Sequence, residues 1–285
     1  MKGFVSYLRR NPSLGWGLGI LLGLLLFTLV GRLFIDEKDA NALAVPVNLP
    51  PSREYPFGTE SQGKDLLASM VLGTGMTLTI GAIAGTIGLG IGTLLGFITG
   101  YYAGSVLDNV ITSIVDIVLT MPGFLILILI ASTLTDPSEL KVLQMGMIAS
   151  ITAWAFPTRA IRSQVLSMRE RPFVMMAKLS GMSGLEIIVK ELMPNLMPYL
   201  AMSLAGAVYG GVMASLGLEG LGIGNRRQPT LGMTLYWVRH YSAFLRGMWW
   251  WILEPVSVIV LLLTSLTLIS FGLDEVANPR VRRRA

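Results

Sequence analysis

The stretch GAIAGTIGLGIGTLLGFITG, residues 81–100, holds no charged residue, and Gly81, Gly85, Gly88, Gly92, Gly96 and Gly100 recur in it every three or four positions. At 3.6 residues per turn those glycines fall along one stripe of a helix, where another helix can approach closely. The stripe reads either as a packing seam between membrane helices or as a seam along which helices slide. Both readings place the stretch inside a bilayer. The composition agrees: of 285 residues 53% are hydrophobic and 14% charged, with a mean hydropathy of +0.65, whereas soluble domains carry roughly a quarter of their residues as charges. An all-α, integral membrane protein is the expectation.

Several function classes drop out on residue counts. The chain has no cysteine, which excludes disulfides, thiol catalysis and Cys-based metal sites, and its one histidine, His240, excludes a histidine cluster. The net charge of +5 arises from residues near helix ends and in loops, where membrane topology and anionic lipid explain it, so no nucleic-acid partner is expected. Lipid is.

A spanning helix needs about 20 mostly apolar residues. Leu14 to Val30 is the first such run, preceded by Lys2, Arg9 and Arg10, which place the N-terminus in the cytoplasm. A cleaved signal peptide is the rival, with Ala40, Ala42 and Ala44 as an A-x-A pattern, but the run is too long for a signal core and the alanines lie too far beyond it. Residues 36–65 are polar and read as an extracytoplasmic segment. Further apolar stretches near 70–100, 106–134, 142–162, 197–217 and 251–273 bring the expected spans to about six, with both termini cytoplasmic. The division is thus 1–35 for the N-terminus and first helix, 36–65 outside, 66–275 for five helices enclosing a cytoplasmic loop at 163–195, and 276–285 for a tail. That tail, with Arg280, Arg282, Arg283 and Arg284, suits the cytoplasm; Arg226, Arg227, Arg239 and Arg246 in the outer loop 218–250 run against the same rule.

GTESQGKD, Gly58 to Asp65, has most of a phosphate-binding loop, but Asp65 stands where Ser or Thr must hold magnesium. No nucleotide site is expected there. Asp116, six residues before Pro122, lies in an apolar stretch, where an ionisable group marks either a functional site or a position close to headgroup water. Glu254, beside Pro255 and after Trp249, Trp250 and Trp251, reads as interfacial.

The loop 163–195 contains RPFVMMAKL, expected as a short helix opening at Pro172 and ending near Gly181, and LEIIVKEL, expected as a second stopped by Pro194. In the second, Leu185, Ile188, Val189 and Leu192 share a face opposite Glu186, Lys190 and Glu191. Such a hairpin suits either a groove on a soluble partner or a lipid surface.

This loop resembles that of permease subunits of ATP-binding-cassette importers, whose signature runs Glu-Ala-Ala, three residues, Gly, then a tail ending Leu-Pro-Asn. Ala177, Gly181, Pro194 and Asn195 match; Met175 replaces the Glu, Met176 an Ala and Met193 the Leu, and Glu191 stands where peptide permeases often have His. FGTESQGKDLLASMVLGTGMTLTIG (57–81), VDIVLTMPGFLI (115–126), LGLEGLGIGNRRQPTLGMTL (216–235) and the closing Asn278-Pro279-Arg280 resemble segments of the second permease subunit of dipeptide and oligopeptide importers. The resemblance implies the type I importer permease fold. It also implies a homologous second permease, two cytosolic ATP-binding subunits that hold the ATP and magnesium, and an extracytoplasmic solute-binding protein, with no cofactor and no catalysis on this chain. Ala177, Lys178, Gly181, Ile188, Glu191, Leu192, Pro194 and Asn195 would couple to the ATPase, and Asp116, Pro122 and Glu254 would be pathway or structural positions within the membrane. Peptide is the expected cargo, with oligosaccharides or nickel complexes as alternatives. An ion-driven secondary transporter would need paired intramembrane charges and inverted repeats, neither of which is visible in the sequence. A non-transporting scaffold is the remaining alternative.

Overall fold

The computed structural model describes residues 11–133 and 139–277, the side chains of 275–277 excepted. The basic residues at positions 2, 9 and 10 and the C-terminal tail lie outside the described residues. Among these, eleven α-helices and no strand are found, apart from an isolated bridge between Thr59 and Asp65.

Helix α1, Pro12–Gly31, starts at a proline, whose fixed φ suits a first turn and whose missing N–H would have no partner there. Helix α2, Leu66–Tyr101, is 36 residues long and begins where the Asp65 carboxylate accepts the Leu67 N–H at 2.7 Å. At 1.5 Å per residue it is about 54 Å long, well beyond a hydrocarbon layer of about 30 Å. Helix α3, Val106–Thr120, ends because Pro122 supplies no N–H and forces Met121 into extended geometry, φ −79° and ψ 137°. The chain resumes as α4, Gly123–Ser132, bent by 86° from α3, so the expected single span at 106–134 is a broken one.

The stretch expected at 142–162 is also divided. Helix α5, Val142–Ala153, and helix α6, Ala155–Arg169, meet at Trp154, which keeps right-handed geometry. Pro157 is the cause: it has no N–H for the Ala153 carbonyl, and the hydrogen-bond ladder resumes with Thr158 N–H on the Trp154 carbonyl at 3.0 Å. Helix α7, Pro172–Leu179, and α8, Gly184–Ile187, form the expected hairpin. Pro194 does not end the second helix, contrary to expectation. The chain passes through a π turn at Ile188–Leu192 into α9, Met193–Gly220. The outer loop holds a further helix, α10, Leu231–His240, before α11, Trp249–Ala277. Four lengths of helix, Pro12–Gly31, Leu66–Tyr101, Gly184–Gly220 and Trp249–Asp274, are each long and apolar enough to span a membrane; the α3–α4 pair makes a fifth if counted as one.

Helix α2 is the axis of the bundle, and its glycine stripe serves two neighbours in succession. A methyl group at Gly81 or Gly85 would strike Val212 and Val208 of α9; at Gly88, Gly92, Gly96 and Gly100 it would strike Ala153, Pro157, Ile161 and Val165 of α5 and α6. Gly90, off the stripe, meets nothing. Helices α1 and α11 pack on each other in the same way, with Gly17 against Ile269 and Gly272 against Leu14.

One end of the bundle is closed by residues 36–65, α10 and the tryptophans. Gly58 and Gly63 take positive φ, 74° and 72°, and fold GTESQGKD into a tight corner. Lys64 Nζ lies 3.4 Å from Glu60 Oε1 and both side chains are buried. Asp65 caps α2. Burial pushes the Glu60 carboxyl above its usual range, and Lys64 opposes that shift. Of the three tryptophans only Trp249 is exposed; Trp250 Nε1 donates to the Thr59 carbonyl at 3.4 Å and Trp251 is fully buried, so the set is mostly core rather than an interfacial belt.

The seam makes Gly85→Ala the informative variant, because the added methyl would sit 2.5 Å from the Val208 backbone nitrogen. It should destabilise the detergent-solubilised protein by about 1–3 kcal/mol, whereas Gly90→Ala, in open space, should be neutral or stabilising by about 0.5–1 kcal/mol. Thermal unfolding of the two variants side by side checks this, and equal melting temperatures would refute a close-packed seam.

Candidate functional site

The end of the bundle opposite the tryptophans carries the hairpin. Helix α7 stops in a Schellman motif: Met182 N–H donates to the Ala177 carbonyl at 3.2 Å, Gly181 N–H to that of Lys178 at 3.1 Å, and Gly181 has φ 79°. Helix α8 opens with a capping box. Ser183 Oγ accepts the Glu186 N–H at 3.3 Å and the Glu186 carboxylate accepts the Ser183 N–H at 3.0 Å, with Lys190 Nζ on the same carboxylate at 3.1 Å. Both ends of the turn are therefore locally specified.

The apolar side chains divide differently from the sequence expectation. Ile188 and Leu192 are buried with Ile187, Val174 and Ala177 against Phe97, Ile161 and Val165, so they anchor the hairpin to α2 and α6 rather than serving as exposed knobs. Leu185 and Val189, placed on the same face by α-helical periodicity, are exposed instead. Leu185 precedes the π turn and is exposed because Ile187 and Ile188 take the inward face; beyond it, the wider turn shifts the residues of Ile188–Leu192 out of α-helical phase. The outward apolar surface includes Phe173, Met175, Met176, Leu179, Leu185 and Val189. Lys178 lies on the exposed side with its Nζ 5.5 Å from the centre of the Tyr101 ring, and Tyr101 and Tyr102 together crowd Gly184.

Pro194 and Asn195 complete the π turn instead of closing a helix. The Met193 N–H reaches back five residues to the Ile188 carbonyl. Pro194 then offers no donor, and Asn195 brings one from its side chain: Nδ2 donates to the Glu191 carbonyl at 2.7 Å. Glu191 itself is half-buried.

A groove of about 520 Å³ runs between α5–α6 and α9. Thr152, Phe156, Tyr199, Ser203, Gly206 and Ser270 are among its walls, and no charged residue lines it. Beside it, α3 and α6 are joined by two ion pairs. Arg162 holds Asp108 with two hydrogen bonds of 2.8 Å each, and Arg159 pairs with Asp116. Asp116 thus has a charged partner on the neighbouring helix, and both side chains of that pair remain exposed. Pro122 shapes the α3–α4 bend, away from either charge. Glu254 is half-buried near the far end, and its Oε2 has no hydrogen-bond partner among the described residues. Glu219, unremarked in the sequence, is buried beneath α10, where Gly232 leaves room for its carboxylate. The sequence held a signal for the ion pairs: two acids on one apolar stretch and two arginines, three residues apart, on another.

Residues 92–283 match the family described as binding-protein-dependent transport system inner membrane component. The chain is 32% identical over 279 residues to the dipeptide transport system permease protein DppC of Alkalihalophilus pseudofirmus, covering 96% of this chain and 88% of that one. It is 30% identical over 247 residues to the oligopeptide transport system permease protein OppC of Mycobacterium tuberculosis, with 87% and 82% covered. With DppC of Bacillus subtilis the identity is 26% over 276 residues, with 97% and 84% covered.

At φ 79° Gly181 occupies backbone geometry that a β-branched residue enters at a cost of about 1–2 kcal/mol. Gly181→Val should therefore loosen the turn and raise tryptic cleavage at Lys178 and Lys190 several-fold, while Gly181→Asn, which tolerates this region, should not. Equal cleavage of both variants would show that the turn does not depend on the glycine.

Proposed function

The chain belongs to the inner-membrane components of binding-protein-dependent transport systems, and from that premise we propose that it is one permease subunit of an ATP-driven importer of peptides. The observation that carries the reading is the hairpin. It is hooked inward by Ile187, Ile188 and Leu192, displays Met175, Met176, Leu179, Leu185 and Val189 outward, and is continuous with a helix that walls the groove. Methionine and leucine knobs on a rigid hairpin suit an apolar groove on a soluble protein. A cytosolic ATPase is that protein here, and ATP and magnesium stay on it. Movement of the hairpin then becomes movement of Tyr199, Ser203 and Gly206, which stand on α9 about two to four turns beyond the π turn.

The relatives' names, dipeptide and oligopeptide permeases, support peptide as cargo. The groove supports it too, offering the hydroxyls of Thr152, Tyr199, Ser203 and Ser270 to a polar backbone between apolar walls. A homologous second permease supplies the opposite wall, and a solute-binding protein delivers peptide at the end closed by residues 36–65 and α10. The hairpin and both termini lie in the cytoplasm. The chain has no cysteine, so Ser52→Cys and Ser180→Cys, both at exposed positions, test this directly. An impermeant thiol reagent added to intact cells should label the first and spare the second; the reverse pattern would invert the topology.

Function is tested by Met176→Asp with Leu179→Asp. Two carboxylates in an apolar interface each cost about 1–3 kcal/mol, so binding of the ATPase subunits should fall by at least about tenfold, with peptide uptake into vesicles following it. Membrane insertion should be normal, because neither side chain is buried in the chain itself. Wild-type uptake in this variant would leave the hairpin a lipid-facing element and refute the coupling role.

A further inference from the structure

The two ion pairs between α3 and α6 differ in their surroundings. Asp108 is 2% exposed, holds Arg162 on both oxygens and accepts the Gly104 N–H at 2.9 Å. It is a closed tie at the hairpin end. Asp116 and Arg159 also pair, yet their side chains remain 58% and 57% exposed. Each stands ten residues from the hairpin end of its helix, Val106 to Asp116 and Arg159 to Arg169. Ten residues are about 15 Å of helix, so the pair stands well inside the bundle from the hairpin. A charged side chain facing lipid costs about 2.5–3.5 kcal/mol on insertion scales, a cost avoided where it faces protein or water. Two open charges on facing helices therefore mark a wetted face.

The position of Arg159 on α6 shows where that face leads. Phe156 and Ala160 line the uncharged groove, while Arg159 lines an adjoining recess of about 280 Å³ with Thr112, Val115, Asp116, Thr158 and Arg162. Groove and recess thus flank one exposed stripe of α6. The groove offers hydroxyls and apolar walls; the recess offers both signs of charge.

We propose that Arg159 and Asp116 form a subsite for the terminal carboxylate of a peptide in transit. Arg159 exchanges the Asp116 carboxylate for that of the cargo, and Asp116 takes the guanidinium back when the peptide leaves. The planar fork of arginine receives either carboxylate in the same geometry. The exchange leaves no buried charge without a partner, because the displaced Asp116 is already more than half exposed. Arg162 does not compete for the cargo, being held on both oxygens of Asp108. The peptide backbone then lies along the groove. This inference rests on the peptide-permease reading above and adds a selection for a free carboxyl end.

The test uses the complete transporter in vesicles with its binding protein, labelled tri-alanine as cargo, and three variants: Arg159→Gln, Arg159→Lys and the charge-swapped Asp116→Arg with Arg159→Asp. Arg159→Gln should lower uptake by about tenfold, the value of one charged contact of about 1.4 kcal/mol, while ATP hydrolysis stimulated by the loaded binding protein continues. Arg159→Lys should recover part of the rate. The swapped variant restores the ion pair, and with it thermal stability, but should not restore uptake, since it presents aspartate where the carboxylate arrives. Wild-type uptake in the swapped variant or in Arg159→Gln would reduce the pair to a strut and overturn the proposal. If the wild-type complex hydrolyses ATP with its binding protein but moves no tri-alanine, the peptide reading itself falls and the subsite falls with it.

Discussion

The whole architecture depends on how closely two backbones approach α2. Glycines at 81 and 85 admit α9, and glycines at 88, 92, 96 and 100 admit α5 and α6. In lipid there is no hydrophobic gain from bringing apolar helices together, so dispersion between closely packed backbones has to supply the association. One 36-residue helix therefore sets the positions of both walls of the groove, and the polar pairs between α3 and α6 are built outward from it. The contacts along the glycine stripe are those of a close-packed seam.

The hairpin is attached to that axis by a second device. Its inner residues join Phe97 and Leu89 of α2 in one apolar cluster, while its turn is specified locally by Gly181, Ser183 and Glu186. The turn can therefore form correctly whatever covers its outer surface. Local chemistry thus sets the shape of the hairpin and long-range packing sets its attachment.

The fold class was legible because membrane helices announce themselves through uninterrupted apolar length, and the glycine stripe was legible because a single periodicity generates it. The Schellman turn at Gly181 was readable for a similar reason: glycine is the residue of positive φ. Where the sequence misled, two local rules competed. Proline was read as a helix terminator at position 194, yet a widened turn and the side chain of Asn195 satisfied the backbone and let the helix run on. The α-helical period then put Val189 on the wrong side, since a π turn is invisible to periodicity. The spacing of acids and arginines marks Asp108, Arg159 and Arg162 as candidates, but they escaped notice because which acid meets which arginine across 43 and 54 residues is set by tertiary structure.

The π turn at Ile188–Leu192 has a consequence for how the two faces of this long helix are keyed to each other. An α-helical residue advances about 100° around the axis, so a turn that accommodates one extra residue rotates everything beyond it by about that angle relative to a straight helix. Tyr199, Ser203 and Gly206 look into the groove only because the extra residue is present, while Ile187 and Ile188 look into the bundle. The bulge is thus an angular key between the hairpin end of the helix and the part of it that walls the groove. Since the helix has no non-helical break between Gly184 and Gly220, a twist applied at one end arrives at the other with its phase preserved.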